Sequence, residues 1–94
     1  MWYVYILKCR NNALYTGITN NIGRRLKEHN SGKGGSYTKS QLPVSLVYSE
    51  SHGSKSEALK REIQLKGWTK RKKQALIERN YAKLRRLSRF KKDP

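Results

Sequence analysis

The chain has 94 residues, of which 35% are hydrophobic, and this provides enough apolar surface for one compact core. Its 22 Lys and Arg residues against 6 Asp and Glu residues give a formal charge of +16 and a pI near 10.4, far more than solubility requires, so nucleic acid is the leading partner. A membrane-surface peptide of this charge would need a long amphipathic helix, and the helical patterns here are short, so we expect no membrane association.

Cysteine usage and the N-terminal segment indicate the compartment. Cys9 is the only cysteine, which excludes an intramolecular disulfide and a cysteine-rich zinc site and fits a reducing environment. The apolar segment 2–7 is too short for a signal-peptide core and too short to span a bilayer. We therefore expect a cytoplasmic protein, or a nuclear one if its source has a nucleus.

Two short β-strands are predicted at the start of the chain. Residues 2–7 are dense in aromatic and β-branched side chains, residues 9–12 are the predicted turn, and residues 13–18 are the predicted return strand. If the connecting loop has an odd number of residues, Tyr5 and Tyr15 lie on one face of the hairpin, whereas a slip of one residue separates them. The register therefore decides whether the two phenols can act together.

The second strand carries a glycine close to its tyrosine. Gly17 leaves space beside Tyr15 and would let a phosphate backbone approach closely. Taken alone, tyrosines in such strands are more often packing residues than catalysts. A phenol with a pKa of about 10 needs a neighbouring cation or metal to act as a base near neutral pH.

A first helix is predicted after the hairpin, with Asn20 or Asn21 as its N-cap. Arg25 and His29 are four residues apart at the edge of its apolar stripe, where they can reach the sheet, whereas Arg24 points away. The guanidinium of Arg25 could clamp a phosphate, or it could be an ordinary solvated side chain. His29 could donate to phosphate, shuttle a proton, ligate a metal, or simply interact with the helix C-terminus.

A loop and a third strand come next. Residues 31–43 form a Gly-, Ser- and Lys-rich loop that is long enough to suggest a functional role. Residues 44–50 alternate between apolar and polar types after Pro43, which predicts a strand. His52 falls in the turn predicted after this strand and has no apparent partner.

A second helix is predicted from Ser54 to Gly67, because Ser54 and Glu57 have capping-box spacing. On its helical wheel Glu62 lies in the middle of the apolar face, with Ala58 and Leu65 on one side and Leu59 and Ile63 on the other. Burying an unpaired carboxylate is costly, so a cation should be close to Glu62. One alternative is a plain ion pair with Lys66, one helical turn further on. A second is that this face of the helix is less buried than the pattern indicates. The third is a metal-binding or catalytic role for the carboxylate.

The last third of the chain holds most of the positive charge. A third helix is predicted from a Thr69 N-cap to about Asn80, with Trp68 packing just before it. From residue 69 onwards there are eleven basic and two acidic residues, a net charge of +9. Residues 82–94 are predicted to be a basic tail, either flexible or folded into a short helix. The candidate nucleic-acid contacts over the whole chain are Gly17, Arg24, Lys39, Lys66, Lys70, Lys73 and Asn80.

The order of residues resembles one nuclease family. Tyr3-Val4-Tyr5, Tyr15-Thr16-Gly17, Arg25, His29 and Glu62 follow the motif order of the GIY-YIG nucleases, and the chain is most similar to their small stand-alone bacterial type, which is related to the N-terminal nuclease of the excision-repair protein UvrC. The resemblance covers residues 2–80. The first motif lacks its namesake glycine, and Ile18 stands where UvrC-like members have a lysine.

The resemblance implies an α+β fold over residues 1–81, a three-stranded antiparallel sheet flanked by helices. It implies that Glu62 holds Mg²⁺ or Mn²⁺ and that Arg25 binds the scissile phosphate. It also implies that Tyr5 and Tyr15 position or deprotonate the attacking water with help from His29. Asn80 is a candidate for the asparagine that some members place late in the site.

The function implied by the resemblance is a metal-dependent endonuclease that cuts DNA, with a structure-selective role in DNA repair or processing. The alternative is a non-catalytic basic module that binds nucleic acid, DNA or RNA. A weaker third reading is an RNA- or ribosome-associated accessory protein.

Overall fold

The computed structural model describes residues 1–88 of the chain. It contains a single three-stranded sheet and five helices within that range. In chain order the elements are β1 Trp2–Lys8, β2 Leu14–Thr19, α1 Ile22–Asn30, α2 Ser36–Ser40, β3 Ser45–His52, α3 Lys55–Lys66, α4 Lys70–Ile77 and α5 Tyr81–Ser88. The predicted α+β architecture, a three-stranded antiparallel sheet flanked by helices, is confirmed.

Strand β1 lies in the middle of the sheet and pairs antiparallel with both neighbours, in the order β2-β1-β3. The pairing of β1 with β3 shifts by one residue: Ile6 is opposite Tyr48, but Leu7 is opposite Leu46. Val47 therefore has no opposite residue and forms a β-bulge. A central strand has both faces covered, and this explains why four consecutive residues of β1, 4–7, are all buried.

The two faces of the sheet support separate apolar clusters. On one face Val4 and Ile6 pack with Ala58 and Leu65 of α3 and with Leu76 of α4. The opposite face carries the second cluster, made of Tyr5, Leu7, Cys9 and Val44, with Tyr15, Leu26 and Leu42 packed against it. The sheet therefore separates the core under α3 and α4 from the face that carries both candidate tyrosines.

The helix caps agree with the capping signals in the sequence. Asn21 accepts a hydrogen bond from the backbone N–H of Arg24, and Ser54 accepts one from Glu57. Thr69 caps α4 in the same way. The longest helix, α3, has 12 residues, and within residues 1–88 the structure has no helix long and apolar enough to cross a membrane.

Three features differ from the sequence-based predictions. The loop predicted over residues 31–43 contains the short helix α2. Strand β3 continues to His52, which was predicted to lie in a turn. Helix α4 ends at Ile77 rather than at about Asn80, and Arg79 then takes a left-handed conformation with φ 55°, which turns the chain into α5.

Helix α5 occupies the first part of the predicted tail. Its Leu87 side chain is buried and Leu84 packs against the core cluster of Val4 and Ile6, so this segment is helical and docked. Residues 89–94 lie outside the described range. The boundary between a domain over residues 1–81 and a tail over residues 82–94 stays a prediction.

Candidate active site

The hairpin register places the two candidate tyrosines on one face of the sheet. Tyr5 is opposite Gly17, and Tyr15 is opposite Leu7, so the tyrosines are diagonal neighbours. The connection between the strands covers residues 9–13, an odd number, which is the parity that this arrangement requires.

Gly17 provides space for Tyr5 rather than for a ligand. A Cβ atom at Gly17 would lie 2.5 Å from Oη of Tyr5 and 2.7 Å from its Cζ. The prediction of open space beside Tyr15 is therefore wrong, because the buried Tyr5 phenol fills the space that the missing side chain leaves. A direct contact between Gly17 and a phosphate stays a prediction that the packing does not favour.

His29 lies at the centre of the site and is completely buried. Its Nε2 is 3.0 Å from Oη of Tyr5, and its Nδ1 is 2.9 Å from Oγ1 of Thr38. The imidazole also makes edge contacts with both tyrosine rings, with centroid distances of 5.9 Å to Tyr5 and 5.4 Å to Tyr15. Because both ring nitrogens already have partners, this arrangement does not support His29 as a metal ligand or as a direct phosphate contact, two of the roles considered from the sequence.

Burial controls the protonation of this pair. Burial lowers the pKa of His29, the positive charge of Arg25 lowers it further, and Glu28 raises it in part. Burial raises the pKa of Tyr5, although Arg25 opposes this because its guanidinium can hydrogen-bond to the phenolate. Near neutral pH the site therefore contains a neutral imidazole beside a neutral phenol.

Arg25 is the partly exposed cation of the site. Its Nη1 lies 3.3 Å from Oε1 of Glu28, and its Nη2 donates to the carbonyl of Gly34 at 3.0 Å. The Glu28 side chain is 39% exposed, so this ion pair is screened by solvent. The interaction with Tyr5 raises the pKa of Arg25, so the guanidinium is charged at every relevant pH.

The glycine-rich loop after α1 supplies two residues that sequence reasoning did not single out. Gly34 lies against His29 so closely that a Cβ atom at this position would overlap the imidazole. Thr38 of α2 is buried and hydrogen-bonded to the same ring. The only signal in the sequence was the unusual length and composition of this loop, which gave no indication of which residue would contact His29.

Glu62 is less deeply buried than the helical wheel suggested. Its side chain is 15% exposed and lies 3.5 Å from Nζ of Lys66, the ion pair considered as an alternative. Leu59 is 38% exposed and Ile63 is 70% exposed, so the apolar face that we expected to surround the carboxylate is only half covered. Glu62 nevertheless belongs to the same electrostatic environment as the hairpin, because its negative charge raises the pKa of Tyr5.

The donor set around Glu62 restricts which metal could bind. Within residues 1–88 there is no group of three or more His, Cys, Asp or Glu side chains that could form a protein-only metal cage. A hydrated hard cation such as Mg²⁺ needs only one or two carboxylates together with substrate phosphate oxygens. Glu62 therefore fits such an ion, and the single carboxylate does not fit a structural zinc site.

The basic residues predicted to contact nucleic acid are mostly on the surface. Arg24 is exposed and donates to Asn20 at 2.8 Å, while Lys39, Lys66 and Lys70 are also exposed. Lys73 is partly buried, and burial together with the nearby charge of Lys66 lowers its pKa. Their contact with nucleic acid stays a prediction.

Asn80 has a structural role at the start of α5. It lies beyond the end of α4, and its Oδ1 accepts a hydrogen bond from the backbone N–H of Lys83 at 3.1 Å. Its carbonyl oxygen is therefore occupied as the N-cap of α5. The structure gives no support to Asn80 as a late active-site asparagine.

A second polar cluster lies on the opposite face of the sheet. Glu50 accepts hydrogen bonds from Oη of Tyr48 at 2.7 Å and from Nε of Arg61 at 3.1 Å, and it lies 2.6 Å from Nε2 of His52. His52 therefore has a partner, contrary to the prediction. Burial raises the pKa of Glu50, but the three hydrogen bonds lower it by more, so the net pKa lies below its usual range.

Known proteins match most of this chain. The family model of the GIY-YIG catalytic domain matches residues 1–75. A UPF0213 protein from Staphylococcus haemolyticus is 51% identical over 76 residues, which are 81% of this chain and 93% of that protein. A UPF0213 protein from Bacillus pumilus is 47% identical over 76 residues, 81% of this chain and 78% of that protein.

A solved structure is also similar. The solution NMR structure of a UPF0213 protein from Bacillus halodurans has a TM-score of 0.54 and 43% sequence identity, and the match covers 83% of this chain and 84% of that chain. The region that the family model matches contains all the candidate catalytic residues, Tyr5, Tyr15, Arg25, His29 and Glu62.

Proposed function

This chain belongs to the GIY-YIG family of nucleases, and on that premise we propose that it is a divalent-metal-dependent endonuclease that hydrolyses phosphodiester bonds in DNA. Mg²⁺ or Mn²⁺ is the proposed cofactor. Structure-selective cleavage in DNA repair or processing, in the cytoplasm, is the proposed biological role. Branched, single-stranded and damaged DNA are the substrate classes to test first.

The observation that supports this proposal best is the convergence of an arginine and two phenols around one buried histidine. His29 is in ring contact with both Tyr5 and Tyr15 and is hydrogen-bonded to Tyr5, and Arg25 opposes the rise that burial causes in the pKa of Tyr5. A protein that only held DNA through its positive charge would require neither the tyrosines nor the buried histidine. Perturbed, buried titratable groups of this kind are concentrated at catalytic sites.

Arg25 is the proposed phosphate-binding residue. Its partner Glu28 is on the surface, so a phosphate oxygen can take the place of the Glu28 carboxylate while Nη2 keeps its bond to the Gly34 carbonyl. A guanidinium held in this way would stabilise the charge that develops on the phosphoryl oxygens in the transition state.

Glu62 is the proposed metal ligand. Lys66 is a flexible, exposed side chain, so its ammonium can move away when a stronger cation binds the carboxylate. A divalent ion bound there would polarise the phosphate and lower the pKa of a bound water molecule. Tyr5 and Tyr15 are the proposed residues that position or deprotonate the attacking water, and both remain candidates for the base.

The proposal is tested with two substitutions and their matched controls. Arg25→Ala and Glu62→Ala should each lower the cleavage rate by about 100- to 1,000-fold with Mn²⁺ and a panel of DNA structures, since each removes charge stabilisation at the phosphate. Folding, followed by circular dichroism, and DNA affinity should change little. Lys27→Ala, an exposed position on the same helix as Arg25, and Glu57→Ala, an exposed position on the same helix as Glu62, should cleave like the parent protein.

A loss of cleavage in Arg25→Ala and Glu62→Ala also excludes a contaminating nuclease, because the activity of a contaminant would not change with these substitutions. If Arg25→Ala and Glu62→Ala both cleave as fast as the parent, the site is assigned to the wrong residues.

The alternative function is a non-catalytic basic module for DNA or RNA. It is favoured by the charge of +16 and by the existing Glu62–Lys66 ion pair. In that case the logarithm of the affinity falls steeply with the logarithm of the salt concentration for every sequence, and Mg²⁺ produces no cleavage. Measuring both properties on one preparation separates the two functions.

A further inference from the structure

Thr38 is the partner of His29 on the side of the ring away from Tyr5. Its side chain is 1% exposed, and its Oγ1 lies 2.9 Å from Nδ1 of His29 and 3.4 Å from the backbone carbonyl of Gly35. The residue belongs to helix α2, the element that the glycine-rich loop inserts between α1 and β3. Nothing in the roles assigned above uses this hydroxyl.

The two bonds of Thr38 restrict where the protons can be. Both contacts can be hydrogen bonds at the same time only if the single hydroxyl proton of Thr38 is directed to Gly35, because a carbonyl oxygen only accepts. In that arrangement the lone pairs of Oγ1 face His29, and the contact at 2.9 Å is a hydrogen bond in which Nδ1 carries the proton. In a neutral imidazole with Nδ1–H, the other nitrogen has a bare lone pair.

That lone pair faces the candidate catalytic phenol. Nε2 of His29 is 3.0 Å from Oη of Tyr5, so in this tautomer the phenol donates and the imidazole accepts. The opposite tautomer would place a proton on Nε2, and His29 could then only donate to Tyr5. The tautomer therefore decides whether His29 can take a proton from Tyr5.

We propose that Thr38 is a positioning residue that holds neutral His29 in its Nδ1–H tautomer, so that Nε2 is the acceptor for the Tyr5 proton. The inference concerns the site of the proposed nuclease and rests on that function for its catalytic meaning. During the reaction the O–H bond of Tyr5 breaks and an N–H bond forms at Nε2, while the Tyr5 oxygen takes one proton from the attacking water. The product of this transfer is a hydroxide for attack and a protonated His29 whose Nδ1–H remains bonded to Thr38.

The loop that carries Thr38 also contacts the ring and Arg25 through Gly34. Gly34 packs against the imidazole without a side chain, and its carbonyl accepts from Nη2 of Arg25 at 3.0 Å. The same loop thus orients the histidine through Thr38 and the arginine through Gly34. The proposal also explains why a buried helix residue should be a threonine where a valine of the same shape would fill the space.

The test compares Thr38→Val with Thr38→Ser. The tautomer of His29 is read from two-bond ¹H–¹⁵N correlation spectra of the labelled full-length protein at neutral pH, without any nucleic acid. The chain contains one other histidine, so a His52→Gln variant assigns the signals. The parent protein and Thr38→Ser should show the Nδ1–H form, whereas Thr38→Val, which has no oxygen to accept from Nδ1–H, should lose it in favour of the Nε2–H form.

Cleavage provides the second measurement. Removing the hydrogen-bond partner that orients a metal-bound histidine typically costs about 10- to 100-fold, and we expect a loss of the same order for His29. Thr38→Val should show this loss in kcat with little change in KM, and Thr38→Ser should recover most of it.

Two results would overturn the proposal. One is a parent protein in the Nε2–H form, and the other is a folded Thr38→Val variant that keeps the Nδ1–H form. If Thr38→Val does not fold, the parent and Thr38→Ser spectra still decide, because the proposal requires the Nδ1–H form in both. A parent protein with the expected tautomer that cleaves no DNA would refute the proposed nuclease function and leave the assignment of Thr38 intact.

Discussion

The two faces of the sheet carry the same three types of polar residue in different surroundings. On the face covered by α1, a tyrosine, a histidine and an arginine form the candidate site, namely Tyr5, His29 and Arg25. On the opposite face the equivalent group is Tyr48, His52 and Arg61. The difference is the acceptor that each group contacts.

On the far face a single carboxylate serves all three partners. Glu50 contacts the tyrosine, the histidine and the arginine at 2.6 to 3.1 Å, so the charge of Arg61 is neutralised inside the protein. Within residues 1–88, neither Tyr5 nor His29 has a hydrogen bond to a carboxylate, and Arg25 uses the surface residue Glu28 instead. On the far face the arginine is paired with a largely buried carboxylate, whereas Arg25 is paired with a carboxylate that is 39% exposed, and Arg25 is the residue that we propose to bind phosphate. Residue types alone therefore do not distinguish a structural cluster from a candidate active site.

Among the substitutions that compare the two faces, the largest effect is expected from filling the space under Tyr5. In Gly17→Ala, the new Cβ would lie 2.5 Å from Oη of Tyr5, and the phenol must then move away from His29. A displacement of about 1 Å at a reacting group can lower the rate by about 100-fold. The strain should also lower the free energy of unfolding by about 1–3 kcal/mol. Cleavage assays and urea unfolding measure the two effects.

A second glycine provides the control for this substitution. Gly23 is exposed on α1, and a Cβ there would meet only Oδ1 of Asn21, at an ordinary 3.7 Å. Gly23→Ala should leave cleavage unchanged and stabilise the protein by about 0.5–1 kcal/mol, because alanine is the better helix former. If Gly17→Ala cleaves as well as Gly23→Ala, the position of the Tyr5 hydroxyl does not matter for the reaction.

The next effect tests whether the far face is purely structural. Glu50→Gln removes the charge that Arg61 pairs with and should lower the free energy of unfolding by about 1–3 kcal/mol. Below its unfolding temperature the variant should cleave DNA at the parent rate, because none of its contacts reaches the candidate site. Glu57→Gln, an exposed carboxylate in the first turn of α3, should cost no more than about 1 kcal/mol. A loss of cleavage in folded Glu50→Gln would show that both faces take part in the chemistry.

The parts of the fold that depend on local patterns were predictable from the sequence. Ser54 and Glu57 start α3, and Thr69 starts α4, because capping depends on residues three positions apart. The strand pattern of β1 was also readable, since aromatic and β-branched residues are concentrated there. The odd number of residues in the hairpin loop places Tyr5 and Tyr15 on one face of the sheet. The sequence did not determine whether this number was odd or even.

The parts that depend on distant contacts were not predictable. Thr38 contacts the imidazole of His29, which is nine positions earlier in the chain. The sequence does not determine the path of the loop between them, so this contact could not be predicted. A helical wheel ranks Ile63 as apolar but does not show how α3 is rotated against the sheet, so its exposure was missed. His52 is different, because Tyr48, Glu50 and His52 alternate along one strand, and this period-2 pattern would have revealed the cluster.

The smallest expected effect is in the pH dependence of stability, where the two faces should respond in different ranges. The pKa of His29 is lowered in the folded protein. As the pH falls below about 6.5, this histidine therefore takes up a proton more readily in the unfolded chain than in the folded protein, which favours unfolding. Stability is therefore fully present above that value and declines as the pH falls towards the lowered pKa. Glu50 also has a lowered pKa, but its contribution is lost only below its usual value of 4.5.

Urea unfolding between pH 8 and pH 3 separates these two contributions. Glu50→Gln should remove part of the decline below pH 4.5 and leave the decline near pH 6 unchanged. His29→Gln should do the reverse, because its side chain does not titrate in this range. If the decline near pH 6 persists unchanged in His29→Gln, then the burial of a neutral imidazole beside Tyr5 is not what makes this face sensitive to acid.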